Sequence, residues 1–189
     1  EAFRAWLEKR YGTVDALNHA WGTAFWSQHY DDWSEIHPPR LAPTFINPTQ
    51  QLDWKRFSND AIMALYTNEA DILRRITPDV PVVTNFMGFF KPLDYWEWAK
   101  YEDIVSDDSY SDPMDPTAFI QNAARSDLMR SLRYGQPWIL MEQTPSAVNW
   151  RGRNALKRPN QMRLWSYQCV SRAANGIMFF QWRAAKAGA

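Results

Sequence analysis

The sequence predicts an α/β fold in which short parallel strands alternate with helices. Apolar runs of strand length recur in the second half of the chain, with helical patterns between them. Such apolar runs indicate parallel strands that helices cover on both faces of the sheet, although one run, residues 104–110, ends polar. Polar residues follow the runs, and α/β folds place their sites at the carboxyl ends of the strands. Four such units fit half of a (β/α)8 barrel or a small open doubly wound sheet.

The first part of the chain is predicted to be helical around one long loop. Helices are predicted over residues 2–11, 14–21 and 51–76. Gly12 and Gly22 stop the first two, and Thr77-Pro78 ends the third. Four prolines interrupt the stretch from Trp26 to Pro48, which is too aromatic for disorder. We therefore expect a long irregular loop there.

The alternation of strands and helices begins after this long helix. Strands are predicted over residues 81–86, 104–110, 138–142 and 177–182, and helices over residues 94–101, 117–134 and 160–175. Pro159 at the start of the last helix and Gly176 after its end fit the usual asymmetry of helix termini.

Polar side chains at the strand ends are the candidates for chemistry. They are Asn85, Asp107, Asp108, Tyr110, Glu142, Gln143, Gln181 and the indole of Trp182. Glu142 leaves a buried strand directly, which is a position that supports a carboxylate nucleophile. The alternative is an ordinary loop carboxylate paired with Arg151 or Arg163. For Asp107 and Asp108 we expect structural capping or an ion pair.

Composition excludes several classes of function. Lys plus Arg and Asp plus Glu both total 21, so no charge excess favours nucleic acid or an anionic membrane. The basic run Arg151, Arg153, Lys157 and Arg158 is predicted to be a solvated loop. The lone Cys169 is expected in the core, and the three histidines lack the spacing of a zinc site. No apolar run is long enough to span a membrane.

Several ordered segments together resemble glycoside hydrolase family 42, the β-galactosidases. They are residues 2–33, 80–88, 105–110, 141–151, 161–168 and 176–183. The resemblance implies a TIM (β/α)8 barrel. Because a complete barrel needs about 250 residues, residues 1–189 are expected to be the C-terminal part of the catalytic barrel domain, covering about strands five to eight.

The resemblance also implies residue roles. It places the nucleophile at Glu142 in the segment MEQTPS, and sugar contacts at Trp26, Tyr110, Trp150 and Phe180. The family retains anomeric configuration and uses a second glutamate, the acid/base, in an Asn-Glu-Tyr motif. This chain has no such motif, so the acid/base is expected upstream of Glu1, with a structural zinc site in the same upstream segment. The chemistry needs no cofactor, and the chain alone is expected to be inactive.

The implied partner is a β-galactoside, and the full-length protein is expected to be a homo-oligomer. We expect a cytoplasmic location, with any signal peptide lying upstream of Glu1. Two alternatives stay open: a non-catalytic carbohydrate-binding protein on the same scaffold, and a related glycosidase such as an arabinosidase or glucosidase.

Overall fold

The computed structural model describes residues 1–42, 44–145, 147 and 152–182. The chain divides into two compact units, Glu1–Asn68 and Glu69–Ala189. In the described ranges, no helix is both long and apolar enough to cross a bilayer.

The first unit is helical, as predicted. It contains α1 (Ala2–Tyr11), α2 (Val14–Trp21), two short 3-10 helices (Phe25–Ser27 and Trp33–Glu35) and the start of α3 (Pro48–Ile76). Its core consists of Phe3, Leu7, Leu17, Trp21 and Ile36. Asp53 is fully buried beside this core and accepts hydrogen bonds from the Tyr11 hydroxyl and the Trp21 indole. Two arginines offset the charge of this carboxylate, with Arg56 Nη1 2.9 Å from Oδ1.

The predicted long loop is irregular, and side-chain hydrogen bonds hold it in place. The Asn18 side chain donates to the carbonyl of Tyr30 at 2.7 Å and accepts from the Tyr30 N–H at 3.1 Å. Asn47 donates to the carbonyl of Trp21 at 2.9 Å and caps α3 by accepting from the backbone N–H of Thr49. These amide side chains replace the backbone pairing that the proline-rich stretch lacks.

The second unit is a parallel α/β layer structure. Its strands are β1 (Asn85–Phe86), β2 (Ser106–Asp108), β3 (Trp138–Glu142) and β4 (Ala174–Ile177), and its helices are α4 (Tyr95–Trp98), α5 (Ala118–Leu132) and α6 (Gln161–Val170). All described pairs are parallel, and the spatial order β1-β2-β3-β4 is the order along the chain. A doubly wound sheet reverses its order at a switch point, so this sheet matches the continuous winding of a (β/α)8 barrel.

Three predicted strands are shorter or shifted, and one of them, predicted over residues 104–110, pairs only over Ser106–Asp108. The first pairs only over Asn85–Phe86, rather than residues 81–86, because the side chains of two acidic residues bind the segment before it. The Val82 N–H donates to Asp103 Oδ2 at 2.7 Å, and the Thr84 N–H donates to Glu102 Oε2 at 3.3 Å. The last strand covers Ala174–Ile177 rather than residues 177–182. The sequence prediction depends on side-chain hydrophobicity, whereas the backbone pairing with β3 starts three residues earlier.

The predicted helix over residues 160–175 is also too long. The helix α6 ends at Val170, and Ala173, with φ of +67°, reverses the chain into β4. Gly176 consequently lies in the strand and not after the helix, so its interpretation as a helix stop is wrong. Pro159 precedes the helix by two residues, because Asn160 is the N-terminal cap residue.

Candidate active site

The strand β3 delivers Glu142 to the carboxyl end of the sheet. Trp138 and Leu140 on this strand are buried, while Glu142 is half-buried at its last position. The sequence reads as one apolar run ending in a carboxylate, and the fold places that carboxylate where α/β proteins hold their sites.

Both oxygens of Glu142 receive hydrogen bonds from neighbouring strand ends. The Tyr110 hydroxyl donates to Oε2, and the Asn85 side-chain amide donates to Oε1 at 3.3 Å. The same Asn85 nitrogen donates to Asp108 Oδ2 at 2.8 Å. Asn85, Asp108 and Glu142 come from β1, β2 and β3, so the ends of three adjacent strands are joined into one polar network.

The other aspartate of the pair, Asp107, belongs to a separate buried network. It is 1% exposed and accepts a 2.6 Å hydrogen bond from the backbone N–H of Gly88. Burial raises the pKa of Asp107 to about 7, against the opposing effect of the Arg125 guanidinium and the Gly88 N–H. Arg125 reaches this region from α5 and also donates to the Ser109 hydroxyl at 3.4 Å.

Burial also changes the titration of the groups around Glu142. It raises the pKa of Asp108 to about 6, with the negative charge of Glu142 acting in the same direction and the Asn85 amide and Arg125 opposing it. Burial, the hydrogen bond to Glu142 and the charge of Glu142 raise the pKa of Tyr110 well above its ordinary value. Tyr110 therefore stays protonated and remains a donor to Glu142 across the ordinary pH range.

The segment after Glu142 is fixed by side chains from the next helix and loop. Gln143 donates to the Ser166 hydroxyl at 2.8 Å, and its carbonyl accepts from the Phe180 N–H at 3.0 Å. Lys157 Nζ donates to the carbonyl of Thr144 at 2.7 Å and to its hydroxyl at 2.9 Å. The backbone following the candidate nucleophile is thus held from two sides.

The interpretation of the basic run as a solvated loop is wrong at Lys157. Arg153 and Arg158 are exposed, but Lys157 is half-buried, and burial lowers its pKa to about 8. Its ammonium group lies 5.8 Å from the ring centre of Trp165. A carbonyl two residues beyond Glu142 is the partner of Lys157, and a sequence pattern gives no sign of such a contact.

The four residues proposed as sugar contacts have different positions. Tyr110 contacts Glu142, and Phe180 follows β4 with a ring that is 40% exposed. Trp26 lies in the first unit, where its ring is 54% exposed and stacks on Phe25 and Phe45 at centroid distances of 4.7 and 6.1 Å. Trp150 lies outside the described residues, as does Arg151.

The alternative interpretation of Glu142 as a loop carboxylate paired with Arg163 does not fit the geometry. Glu142 is the last strand residue, and the ion pairs of the described residues do not include it. The Arg163 guanidinium lies instead over the Tyr167 ring, 5.6 Å from its centre. Cys169 is 1% exposed on α6, as expected for a core residue.

The three histidines, His19, His29 and His37, all belong to the first unit. His29 Nε2 lies 3.5 Å from Asp31 Oδ1, and His37 Nδ1 lies 3.4 Å from Arg4 Nη2. Within the part of the chain that the structure describes, no three or more His, Cys, Asp or Glu side chains form a group that could hold a metal ion.

Comparison with known proteins assigns the chain to a family. A family model described as β-galactosidase, glycoside hydrolase family 42, matches residues 1–189. The chain is 61% identical over 188 residues to a β-galactosidase from Geobacillus kaustophilus and 53% identical over 189 residues to one from Heyndrickxia coagulans. Each alignment covers 100% of this chain and 28% of the relative, so the chain spans about 28% of their length.

Solved structures agree in fold. A β-galactosidase from Bacillus circulans sp. alkalophilus matches with a TM-score of 0.90 at 46% identity, over 98% of this chain and 28% of that one. A catalytic mutant of a family 42 β-galactosidase from G. stearothermophilus matches with a TM-score of 0.90 at 39% identity, over 99% of this chain and 29% of that one. The chain belongs to glycoside hydrolase family 42, and the four parallel strands of its described residues are part of a (β/α)8 barrel.

Proposed function

We propose that the full-length protein is a retaining β-galactosidase in which Glu142 is the nucleophile. One observation carries the proposal: Tyr110 and Asn85 each donate to a different oxygen of Glu142 at the carboxyl end of a buried parallel strand. Two donors on one carboxylate fix its plane, and orientation of a reacting group contributes strongly to catalysis. The names of the relatives support terminal β-galactosides as the substrate class.

The proposed reaction is a double displacement. A Glu142 oxygen attacks the anomeric carbon, the glycosidic C–O bond breaks, and the leaving oxygen takes a proton from the acid/base carboxyl. Water then attacks the anomeric carbon of the resulting galactosyl ester and gives one proton to the same acid/base carboxylate, and the bond to the Glu142 oxygen breaks. Tyr110 keeps its proton throughout because its pKa is raised, so it stabilises Glu142 before attack and after release.

The acid/base carboxyl is proposed to come from outside this chain. The sequence contains no Asn-Glu-Tyr motif, and retaining chemistry needs two carboxyl groups about 5–5.5 Å apart. General acid assistance contributes about 10²–10⁴-fold in rate. We therefore expect the 189-residue chain, purified alone, to turn over a nitrophenyl galactoside no faster than its Glu142→Gln variant. Turnover clearly above that control would place the acid/base within this chain.

The sugar is proposed to contact aromatic rings. Tyr110 and Phe180 belong to the second unit with Glu142. Trp26 belongs to the first unit and is proposed as a sugar contact because of the family resemblance. Trp150 is proposed as a sugar contact from the family resemblance alone. The full-length protein is proposed to be a homo-oligomer on the same ground.

The experiment compares Glu142→Gln with Glu97→Gln in the full-length protein. Glu97 is an exposed carboxylate paired with Lys100, so its variant controls for the loss of one charge. Glu142→Gln should lower turnover of nitrophenyl β-galactoside by about 10³-fold or more with an unchanged melting temperature. Near-normal turnover would contradict the role of Glu142.

The same assay separates the alternative functions. Nitrophenyl arabinoside and glucoside are tested beside the galactoside, and the ratio of kcat/KM values identifies the preferred sugar. A higher kcat/KM on either alternative sugar would overturn the galactosidase assignment. A wild-type protein that binds galactose but cleaves none of the three substrates would be a carbohydrate-binding protein.

A further inference from the structure

We propose that Asp108 is a positioning residue for Glu142, acting through the side-chain amide of Asn85. This inference rests on the proposed role of Glu142 as nucleophile. It assigns a function to a second carboxyl at the strand ends, one that does not itself touch the sugar.

The strand register brings the two carboxyl groups together. Asp108 and Glu142 are Cα partners across the β2–β3 ladder, after a register shift between Asp107 and Asp108. Without the shift, Asp108 would pair with the residue before Glu142. Paired residues on neighbouring strands point to the same face of a sheet, and successive residues alternate. The irregularity therefore makes Asp108, rather than Ser109, the partner beside the candidate nucleophile.

Asn85 can lie between these carboxyl groups in only one orientation. Its Nδ2 atom is 2.8 Å from Asp108 Oδ2 and 3.3 Å from Glu142 Oε1. Ionised carboxylates only accept hydrogen bonds, and the amide nitrogen carries two N–H donors, so one donor serves each carboxylate. The shorter bond goes to Asp108, which makes Asp108 the anchor and leaves the second N–H directed at Glu142.

The environment of Asp108 is costly for a residue with no further role. Its Oδ1 atom is buried and has no hydrogen-bond partner among the described residues, and the charge of Glu142 faces it from β3. Burial is the main cause that raises its pKa to about 6. The other charged or titratable groups that act on it are Arg125 from α5, Asp107 on its own strand and Tyr110 after that strand. A half-satisfied buried carboxyl costs stability, and a positioning role explains why it is placed there.

The ionised form of Asp108 is the form that anchors Asn85 best. A carboxylate accepts a stronger hydrogen bond than a neutral carboxyl does. The orientation of the amide, and with it the bond to Glu142, should therefore weaken as the pH falls through about 6. Part of the acid limb of kcat/KM should then come from Asp108.

The test uses Asp108→Ala, Asp108→Asn, Asn85→Ala and the double variant Asp108→Ala/Asn85→Ala in the full-length protein. Asp79→Asn, at an exposed turn position, is the control for the loss of a carboxylate. Melting temperature and near-ultraviolet circular dichroism establish that each variant is folded. Loss of one oriented hydrogen bond to a charged group should lower kcat about 10–100-fold in Asp108→Ala, with KM changed less than threefold.

The double variant distinguishes positioning from an independent effect. If Asp108 acts through Asn85, the double variant should be no slower than Asn85→Ala. Both substitutions then remove the same hydrogen bond to Glu142, so their effects are not additive. Losses that multiply in the double variant would overturn the proposal. Wild-type kcat in Asp108→Ala would overturn it as well.

The isosteric variant Asp108→Asn gives a second readout, which stays valid even if the alanine variants do not fold. Asp108→Asn keeps an oxygen that accepts from Asn85, so it should recover most of the kcat lost in Asp108→Ala. It also removes the titrating carboxyl, so the acid limb of kcat/KM should move to lower pH. An unchanged limb in Asp108→Asn would contradict the proposal.

Covalent labelling distinguishes a wrong role for Asp108 from a wrong role for Glu142. A 2-deoxy-2-fluoro-β-galactoside with a dinitrophenolate leaving group should label Glu142 in the wild type, and more slowly in Asp108→Ala. A wild-type protein labelled at another residue would reject the role of Glu142 itself. A protein labelled at Glu142 whose Asp108→Ala rate is normal would reject only the positioning role.

Discussion

The Arg125 guanidinium occupies the space where a side chain at Gly88 would begin. A Cβ built on Gly88 would lie 1.9 Å from Arg125 Nε, and Gly88 has φ of +61°, where L-residues are strained. The absence of a side chain lets the arginine of α5 lie against the loop that follows β1. The Gly88 N–H simultaneously donates to Asp107.

Gly88→Ala should destabilise the full-length protein more than the same substitution at a glycine that has no neighbouring atoms. An alanine at this φ costs about 1–2 kcal/mol from the backbone alone, and its methyl group must also displace Arg125. Gly135→Ala is the matched control, because Gly135 has φ of +82° and a Cβ added there would meet no atom within 4 Å. Urea unfolding midpoints measure both. Equal losses in the two variants would show that the contact with Arg125 contributes nothing.

Tyr110→Phe should slow formation of the galactosyl-enzyme. The variant keeps the ring and removes the hydroxyl that donates to Glu142 Oε2. A hydrogen bond to a charged group contributes about 1.5–3 kcal/mol, which corresponds to about 10–100-fold in rate. Single-turnover kinetics with a dinitrophenyl galactoside measure the step directly. Tyr134→Phe, at a fully exposed tyrosine, should leave it unchanged, and an unaffected rate in Tyr110→Phe would argue against a role for the hydroxyl.

Glu102 should make the stability of the protein fall as the pH rises. Burial raises its pKa from 4.5 to about 8, while the Thr84 N–H and Arg133 oppose the shift. Its Oε1 atom is buried without a hydrogen-bond partner among the described residues. Between pH 4.5 and about 8 the folded state keeps a proton that the unfolded state releases, so stability is lost as the pH rises through this window.

Glu102→Gln should remove that dependence, because the amide does not titrate. The free energy of unfolding of the wild type, relative to Glu102→Gln, should fall with pH by up to about 1.4 kcal/mol per pH unit. Urea unfolding at pH 5, 6, 7 and 8, about the window of the titration, measures the difference, with the exposed Glu97→Gln as control. Parallel pH curves for the wild type and Glu102→Gln would contradict the raised pKa.

Trp26→Phe should affect catalysis and leave stability nearly unchanged. Trp26 is 54% exposed and lies outside the core cluster of its unit, so it contributes little to that core. Loss of the indole N–H as a hydrogen-bond donor to the sugar should lower kcat/KM several-fold, since such a bond contributes about 1 kcal/mol. Trp96→Phe, at a tryptophan that is 52% exposed on α4, controls for the substitution. A large fall in melting temperature with unchanged kinetics would mean that Trp26 anchors its loop.

The sequence predicts the alternation of the second unit and the position of Glu142, because both depend on local patterns. An apolar run that ends in a carboxylate is visible in residues 138–142, and the structure has this strand at the same bounds. The strand β4 is misplaced in the prediction because Ala174 and Gly176 pair through their backbones, without an apolar signature.

The partners within the candidate site could not be predicted in the same way. The pairing of Asp108 with Glu142 depends on a register shift between β2 and β3, which no spacing in the sequence encodes. Arg125 is an ordinary charged residue within a helical pattern, and Lys157 lies in a basic run that is otherwise exposed. Both reach the site region by contacts between residues that are distant in the chain.

Glu142 is predicted to form the covalent bond to the sugar, and covalent trapping tests this assignment most directly. The full-length protein is treated with a 2-deoxy-2-fluoro-β-galactoside that has a dinitrophenolate leaving group, then digested and analysed by peptide mass spectrometry. The fluorine slows both steps, and the good leaving group restores formation of the ester, so the intermediate accumulates. We predict one fluorogalactosyl group, on Glu142, and none in Glu142→Gln. A label on Asp108 or any other carboxylate would contradict the assignment.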